Sequence, residues 1–150
     1  MEKAIRVSQQ MMRAGKGGPF GAVIVCKGKV VATGHNQVTS TNDPTAHAEI
    51  VAIRAACKKL KTFQLADCEL YTSCEPCPMC LSAIYWARIK RIYFGNTRQD
   101  AAKIGFDDDF IYQEIPLPLK DRKISMKQLM RKKAMAAFNE WKNKADKMVY

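Results

Sequence analysis

Two short segments carry residue types suited to metal binding and proton transfer. The first is TAHAEI (45–50), with His47 and Glu49 two positions apart. The second is CEPCPMC (74–80), in which Cys77 and Cys80 stand at i, i+3, so that both sulfurs can share one helical face. His47, Cys77 and Cys80 would give zinc three N/S ligands. A fourth position would stay open for water, which is the catalytic rather than the structural pattern. Two thiolates neutralise the metal charge and activate that water less than an all-histidine site, so a carboxylate to take its proton is useful. Glu49 is the candidate. On an ideal helix, residues i and i+2 point about 200° apart. His47 and Glu49 can therefore converge only at an irregular or terminal turn. Blander readings stand beside this one. CxxC alone also suits a redox pair. A closed structural zinc needs a fourth ligand, which Cys74 or His35 would supply. Glu49 alone fits an exposed helix residue.

The elements that must position these residues can be read from the pattern. Residues 2–14 are helix-like. FGAVIVCKGKVVATGH (20–35) predicts a hairpin, with β-rich runs at 20–26 and 29–35 around Lys27-Gly28. After the loop VTSTNDP, Asp43 suits a helix cap and Pro44 the first helical position. Apolar residues at 46, 50, 53, 56, 57 and 60 keep a helical period, and Lys58, Lys59 and Lys61 suit its negative end. CELYTS (68–73) reads as a buried strand, Pro78 opens a second helix, and RIYFG (91–95) is a further strand. The alternation predicts an α/β domain with right-handed crossovers and helices on both faces of a mixed sheet. Beyond residue 96 the pattern gives a short helix near 97–103, an irregular 104–122 and a helix within 130–147.

The 150 residues fit a single domain, 1–150. The N-terminus MEKAIRVSQQMMR has no apolar stretch of the secretory type, and no apolar run nears the roughly 20 residues of a membrane helix. The expected compartment is the cytosol, where thiols stay reduced and clustered cysteines more often serve metal or catalysis than disulfides. From Lys120 to Tyr150 ten basic residues face three acidic ones, which places +7 of the net +11 in this tail. Such a segment could bind nucleic acid, and the plainer reading is a solvated lysine-rich helix face.

HxE followed by PCxxC is far more specific than either half, and together they form the signature of zinc-dependent deaminases. GGPFGAVIV, TSTNDPTAHAEI, YTSCEPCPMCLSAIYWAR, GFDDDFIY and the terminal Tyr resemble bacterial guanine deaminases of the cytidine-deaminase-like fold, from about Gly17 to Tyr150. The resemblance implies a three-layer α/β/α fold with a central mixed five-stranded sheet. It implies one Zn2+ per subunit on His47, Cys77 and Cys80, with Glu49 shuttling protons. It further implies that Phe20 stacks on a purine, Asn36 hydrogen-bonds the purine edge, Asn42 and Trp86 line the pocket, Asp108 faces the guanine edge with a catalytic part, and Tyr150 closes the site. The implied assembly is a homodimer in which segment 120–150 swaps over the partner's site. Residue chemistry supports the Asp108 role only partly. A carboxylate accepts well from the N1–H and 2-amino group of guanine, yet that argument does not choose among Asp107, Asp108 and Asp109.

The implied activity is hydrolysis of guanine to xanthine and ammonia. The rivals are a guanosine or other nucleoside deaminase, a tRNA adenosine deaminase, which the basic charge favours, and a non-enzymatic zinc-stabilised nucleic-acid-binding protein. The last needs a fourth ligand and has no use for Glu49.

Overall fold

A computed structural model describes residues 1–106 and 108–149. The chain forms two compact units, Met1–Ile111 and Tyr112–Tyr150. In the first, α1 (Glu2–Arg13) precedes a hairpin of β1 (Gly21–Cys26) and β2 (Lys29–His35). Lys27 and Gly28 both have positive φ (50° and 74°), as a two-residue hairpin turn matched to strand twist requires. A short α2 (Val38–Thr41), α3 (Ala48–Leu60), β3 (Cys68–Cys74), α4 (Pro78–Trp86), β4 (Arg91–Asn96) and α5 (Arg98–Lys103) follow.

The sheet order is β2-β1-β3-β4. β1 runs antiparallel to β2 and β3, and β3 runs parallel to β4 across the α4 crossover. Gly21 faces α1, where a Cβ would sit 2.7 Å from the Ser8 nitrogen. The alternate residues Ala22 and Ile24 point to the opposite face and pack with Ala48, Ala52 and Ala56 of α3, Leu70 of β3 and Ile84 of α4. Helices thus cover both faces, as expected. The small side chains along α3 let that helix lie close to the sheet. At Gly34 of β2 the approach is closest. An added Cβ there would collide with the Ala48 carbonyl oxygen and lie 2.6 Å from the Ala52 nitrogen.

The sheet has four strands among the described residues, not five. The chain after β4 turns helical at once, because Thr97 and Asp100 form a reciprocal capping box that starts α5. Farther on, Pro116 and Pro118 remove alternate backbone donors from the one apolar run that could have extended the ladder. The expectation of reduced thiols holds for Cys57, Cys74, Cys77 and Cys80 and fails for two others. Cys26 and Cys68, 42 residues apart, face each other in the β1–β3 register and form a disulfide.

The second unit follows α6 (Asp109–Glu114), which straddles the boundary. It holds a 3-10 turn (Leu119–Asp121) and α7 (Arg131–Asn143). Arg122 ties its first part together by donating from Nη2 to the Ile115 carbonyl (2.6 Å) and from Nε to the Leu117 carbonyl (2.9 Å). No helix among the described residues is long and apolar enough to cross a membrane.

Because the α3 backbone rests against Gly34, Gly34→Ala is expected to cost about 1–3 kcal/mol through overpacking, read from denaturant midpoints. Zinc content should fall with it, since the collision is at the first turn of α3.

Candidate active site

Each metal-type segment sits at a helix start, and the local backbone explains how. His47 is the residue before α3, extended at φ −69°, ψ 157°, with Glu49 in the first turn behind it. The break between extended and helical backbone removes the 200° divergence of an ideal helix, so His47 and Glu49 reach the same place. The helix begins four residues later than the Asp43-Pro44 pair suggests. Asp43 instead closes a turn, accepting from the Thr45 amide (2.8 Å) and hydroxyl (2.7 Å). Cys77 repeats the arrangement before α4, at φ −65°, ψ 168°, with Pro78 opening the helix and Cys80 in its first turn.

The two helix starts meet. His47 Nδ1 lies 3.5 Å from Cys77 Sγ and 3.6 Å from Cys80 Sγ, and all three ligand atoms fall within 4.8 Å of one another. Zinc bonds at a tetrahedral angle set nitrogen and sulfur ligands about 3.5–3.6 Å apart, so both nitrogen–sulfur distances suit zinc. No other such ligand group occurs among the described residues, and neither Cys74 nor His35 belongs to it. The closed structural site therefore does not form. Cys74 is buried against the Thr97 carbonyl (3.6 Å), and burial pushes its thiol up to about 11, so it stays protonated.

The two ligand thiols are hydrogen-bonded to each other. The hydrogen bond with Cys80, and that with His47, hold the Cys77 thiol well below its usual range. The same Cys77–Cys80 bond, together with burial and the Glu49 carboxylate, holds the Cys80 thiol up. A cation held on both sulfurs would require both as thiolates. Both helix N-termini favour the resulting negative charge. His47 is shifted upward, chiefly by its hydrogen bond to Cys77.

Glu49 is 5% exposed. Its Oε1 accepts from the Thr72 hydroxyl at 2.7 Å, and Cys80 Sγ lies 3.4 Å from its Oε2. Burial raises its carboxyl above the usual range, and the Thr72 hydrogen bond works against that rise. The plain exposed-residue reading of Glu49 is thus excluded by its burial.

A cavity of about 630 Å³ opens onto this centre and is lined by His47, Glu49, Cys77, Phe20, Asn36 and Asp108. Phe20 meets Phe106 edge to face, with ring centroids 4.8 Å apart and planes at 86°. Asn36 is buried, and its Oδ1 accepts from the amides of Gly18 and Val38, both at 3.3 Å. Burial raises the Asp108 carboxyl. Two expected lining residues are not brought to the cavity. Asn42 is exposed and ends α2 in the left-handed conformation (φ 52°). Trp86 is 62% exposed on the last turn of α4, about 12 Å along the helix axis from its metal-binding start. Tyr150 lies outside the described residues. Sequence reasoning missed Phe106, Glu75 and Arg98 as lining residues. The only signal for Glu75 was its place inside CEPCPMC, where its Oε2 accepts the Arg98 amide at 3.0 Å.

Comparison with known proteins agrees with this geometry. Residues 1–96 match the family described as the cytidine and deoxycytidylate deaminase zinc-binding region. The chain is 52% identical to guanine deaminase of Bacillus subtilis strain 168 over 150 residues, covering 100% of this chain and 96% of that one. It is 40% identical to a tRNA-specific adenosine deaminase of Buchnera aphidicola over 84% of this chain and 82% of the relative. The X-ray structure of the Bacillus subtilis guanine deaminase superimposes with a TM-score of 0.96 over 99% of this chain and 95% of that one. With a His/Cys/Cys zinc site, a buried carboxylate beside it and these likenesses, the chain belongs to the cytidine and deoxycytidylate deaminase zinc-binding family.

Proposed function

We propose that this protein hydrolyses guanine to xanthine and ammonia. The observation that carries the reading is the buried Glu49 carboxylate set against the His47–Cys77–Cys80 triangle at the floor of a cavity large enough for a purine. The full-length likeness to a guanine deaminase supplies the substrate. Bound in the triangle, zinc supplies Lewis acidity and lowers the pKa of a water from about 16 towards 7.

The remaining work falls to the chain's own residues. Glu49 takes a proton from the attacking water and carries it to the ring nitrogen N3 as the oxygen adds at C2. The second proton of the water leaves with the 2-amino nitrogen as ammonia, and the oxygen remains as the 2-oxo group of xanthine. Burial raises the Glu49 carboxyl above the usual carboxylate range, which favours its holding a proton between the two halves of this transfer. Phe20, held edge to face by Phe106, offers a flat apolar surface for the purine. Asn36 stands at the purine edge, and the Asp108 carboxylate accepts from N1–H and the 2-amino group.

Replacing Glu49 by Gln is expected to lower kcat for guanine by at least 1,000-fold while one zinc per chain is retained. Ammonia release should favour guanine over guanosine, adenine, cytosine and tRNA. Turnover of tRNA or guanosine in preference to guanine would overturn the substrate assignment.

The assembly belongs to the same reading: a homodimer whose segment 120–150 covers the partner's site and brings Tyr150 to it. Its support is the apolar surface of that segment, where Ile124 is 79% exposed, Leu129 71% and Phe138 72%. Mixed and refolded together, the E49Q and Y150A variants should recover activity that neither has alone, because one site in the mixed dimer then holds both native residues. Absence of recovery would count against the exchange.

A further inference from the structure

We infer that Thr72 is a positioning residue that fixes which face of the Glu49 carboxylate serves the reaction. The inference rests on Glu49 as the proton carrier and adds what holds it. Thr72 lies near the end of β3 and is 0% exposed. Strand alternation sends it to the α3 side of the sheet, while the next residue, Ser73, turns to the other side and accepts the Gly21 amide at 3.0 Å. Two consecutive buried hydroxyls on one strand thus have separate tasks. Ser73 ties β3 to β1, and Thr72 reaches across to α3.

Its hydroxyl donates to Glu49 Oε1 at 2.7 Å, a distance typical of a charge-assisted bond. The other oxygen, Oε2, is the one that lies toward the metal ligands, 3.4 Å from Cys80 Sγ. The two carboxylate oxygens are therefore unequal. One is committed to the strand, and the other is turned to the centre. A Glu side chain has three rotatable bonds, and α3 fixes only its root. The bond to β3 fixes its end. Without that donor, Oε1 would be a buried acceptor left unsatisfied, and the carboxylate would turn to find another partner. The other groups against it are its own amide and Cys80 Sγ, so a carboxylate released by Thr72 would turn further towards the ligand triangle, where it would compete with the ligands instead of carrying a proton.

Thr72→Val keeps the side-chain shape and removes only the hydroxyl, and Thr72→Ser keeps the hydroxyl. The experiment measures kcat, KM, zinc per chain and melting temperature for both, alongside Glu49→Gln. For Thr72→Val, kcat for guanine is expected to fall roughly 10- to 100-fold. KM should stay within about twofold, and zinc content should hold at one per chain. Thr72→Ser should restore most of kcat. The inference falls if Thr72→Val turns over guanine like the parent while Glu49→Gln is inactive, and the reading of Glu49 then stands. It also falls if Thr72→Val loses zinc and melting temperature in step with kcat and Thr72→Ser does not restore it, since packing alone then accounts for Thr72. Normal turnover by Glu49→Gln would overturn both.

Discussion

The approach of one imidazole nitrogen to two sulfurs, 3.5 and 3.6 Å away, is the constraint around which the rest is arranged. It requires two helices to begin at the same point in space. Each therefore follows an extended residue, His47 or Cys77, that is itself a ligand. α3 can come near enough only because β2 carries Gly34 at the contact and α3 presents Ala48 and Ala52 to it. α4 is held by the parallel β3–β4 pair, whose crossover it forms. The like charges of two thiolates and a carboxylate would repel in this small volume. Two helix N-termini offset part of that, each by about 0.3–1 kcal/mol at ordinary exposure and more when buried. A divalent cation offsets far more.

Much of this was legible in the sequence, for a physical reason. Metal ligands that sit on the first turn of a helix are close in sequence, so HxE and PCxxC survive as local spacing. Pro78 marks the second helix start, because its fixed φ and missing donor suit the first helical position. The same chemistry misplaced the first start, since Asp43-Pro44 makes a capped turn equally well. What the spacing left open, whether His47 and Glu49 converge, depended on where the helix begins, and one residue of extended backbone decides it.

The features that escaped reading are those set by pairing between distant strands or by packing. Cys26 and Cys68 meet through a register formed by whole strands, so no local signal marks them. Phe106 approaches Phe20 only after the chain has completed the sheet and returned through α5. Trp86 shows the converse. Its neighbours in YTSCEPCPMCLSAIYWAR include the metal-type residues, yet eight residues of helix separate it from Pro78 and it does not line the cavity of its own chain.

The state of Glu49 brings these strands together. Burial disfavours its charge, and a hydroxyl from another element favours it. Either effect alone would spoil a proton carrier. Burial without a donor leaves a neutral acid unable to accept, whereas a carboxylate with several donors stays ionised and returns nothing. Glu49 lies between the two: burial is the largest effect on it, and hydrogen bonds from Thr72, its own amide and Cys80 oppose it. The Thr72 donor comes from β3 and the acceptor from α3, so the balance depends on the spacing of sheet and helix. That spacing is set by Gly34 and by the alanines of α3. The packing of small residues far from any substrate atom is thereby part of the chemistry, because it fixes the Thr72 hydrogen bond, the largest of those that oppose burial.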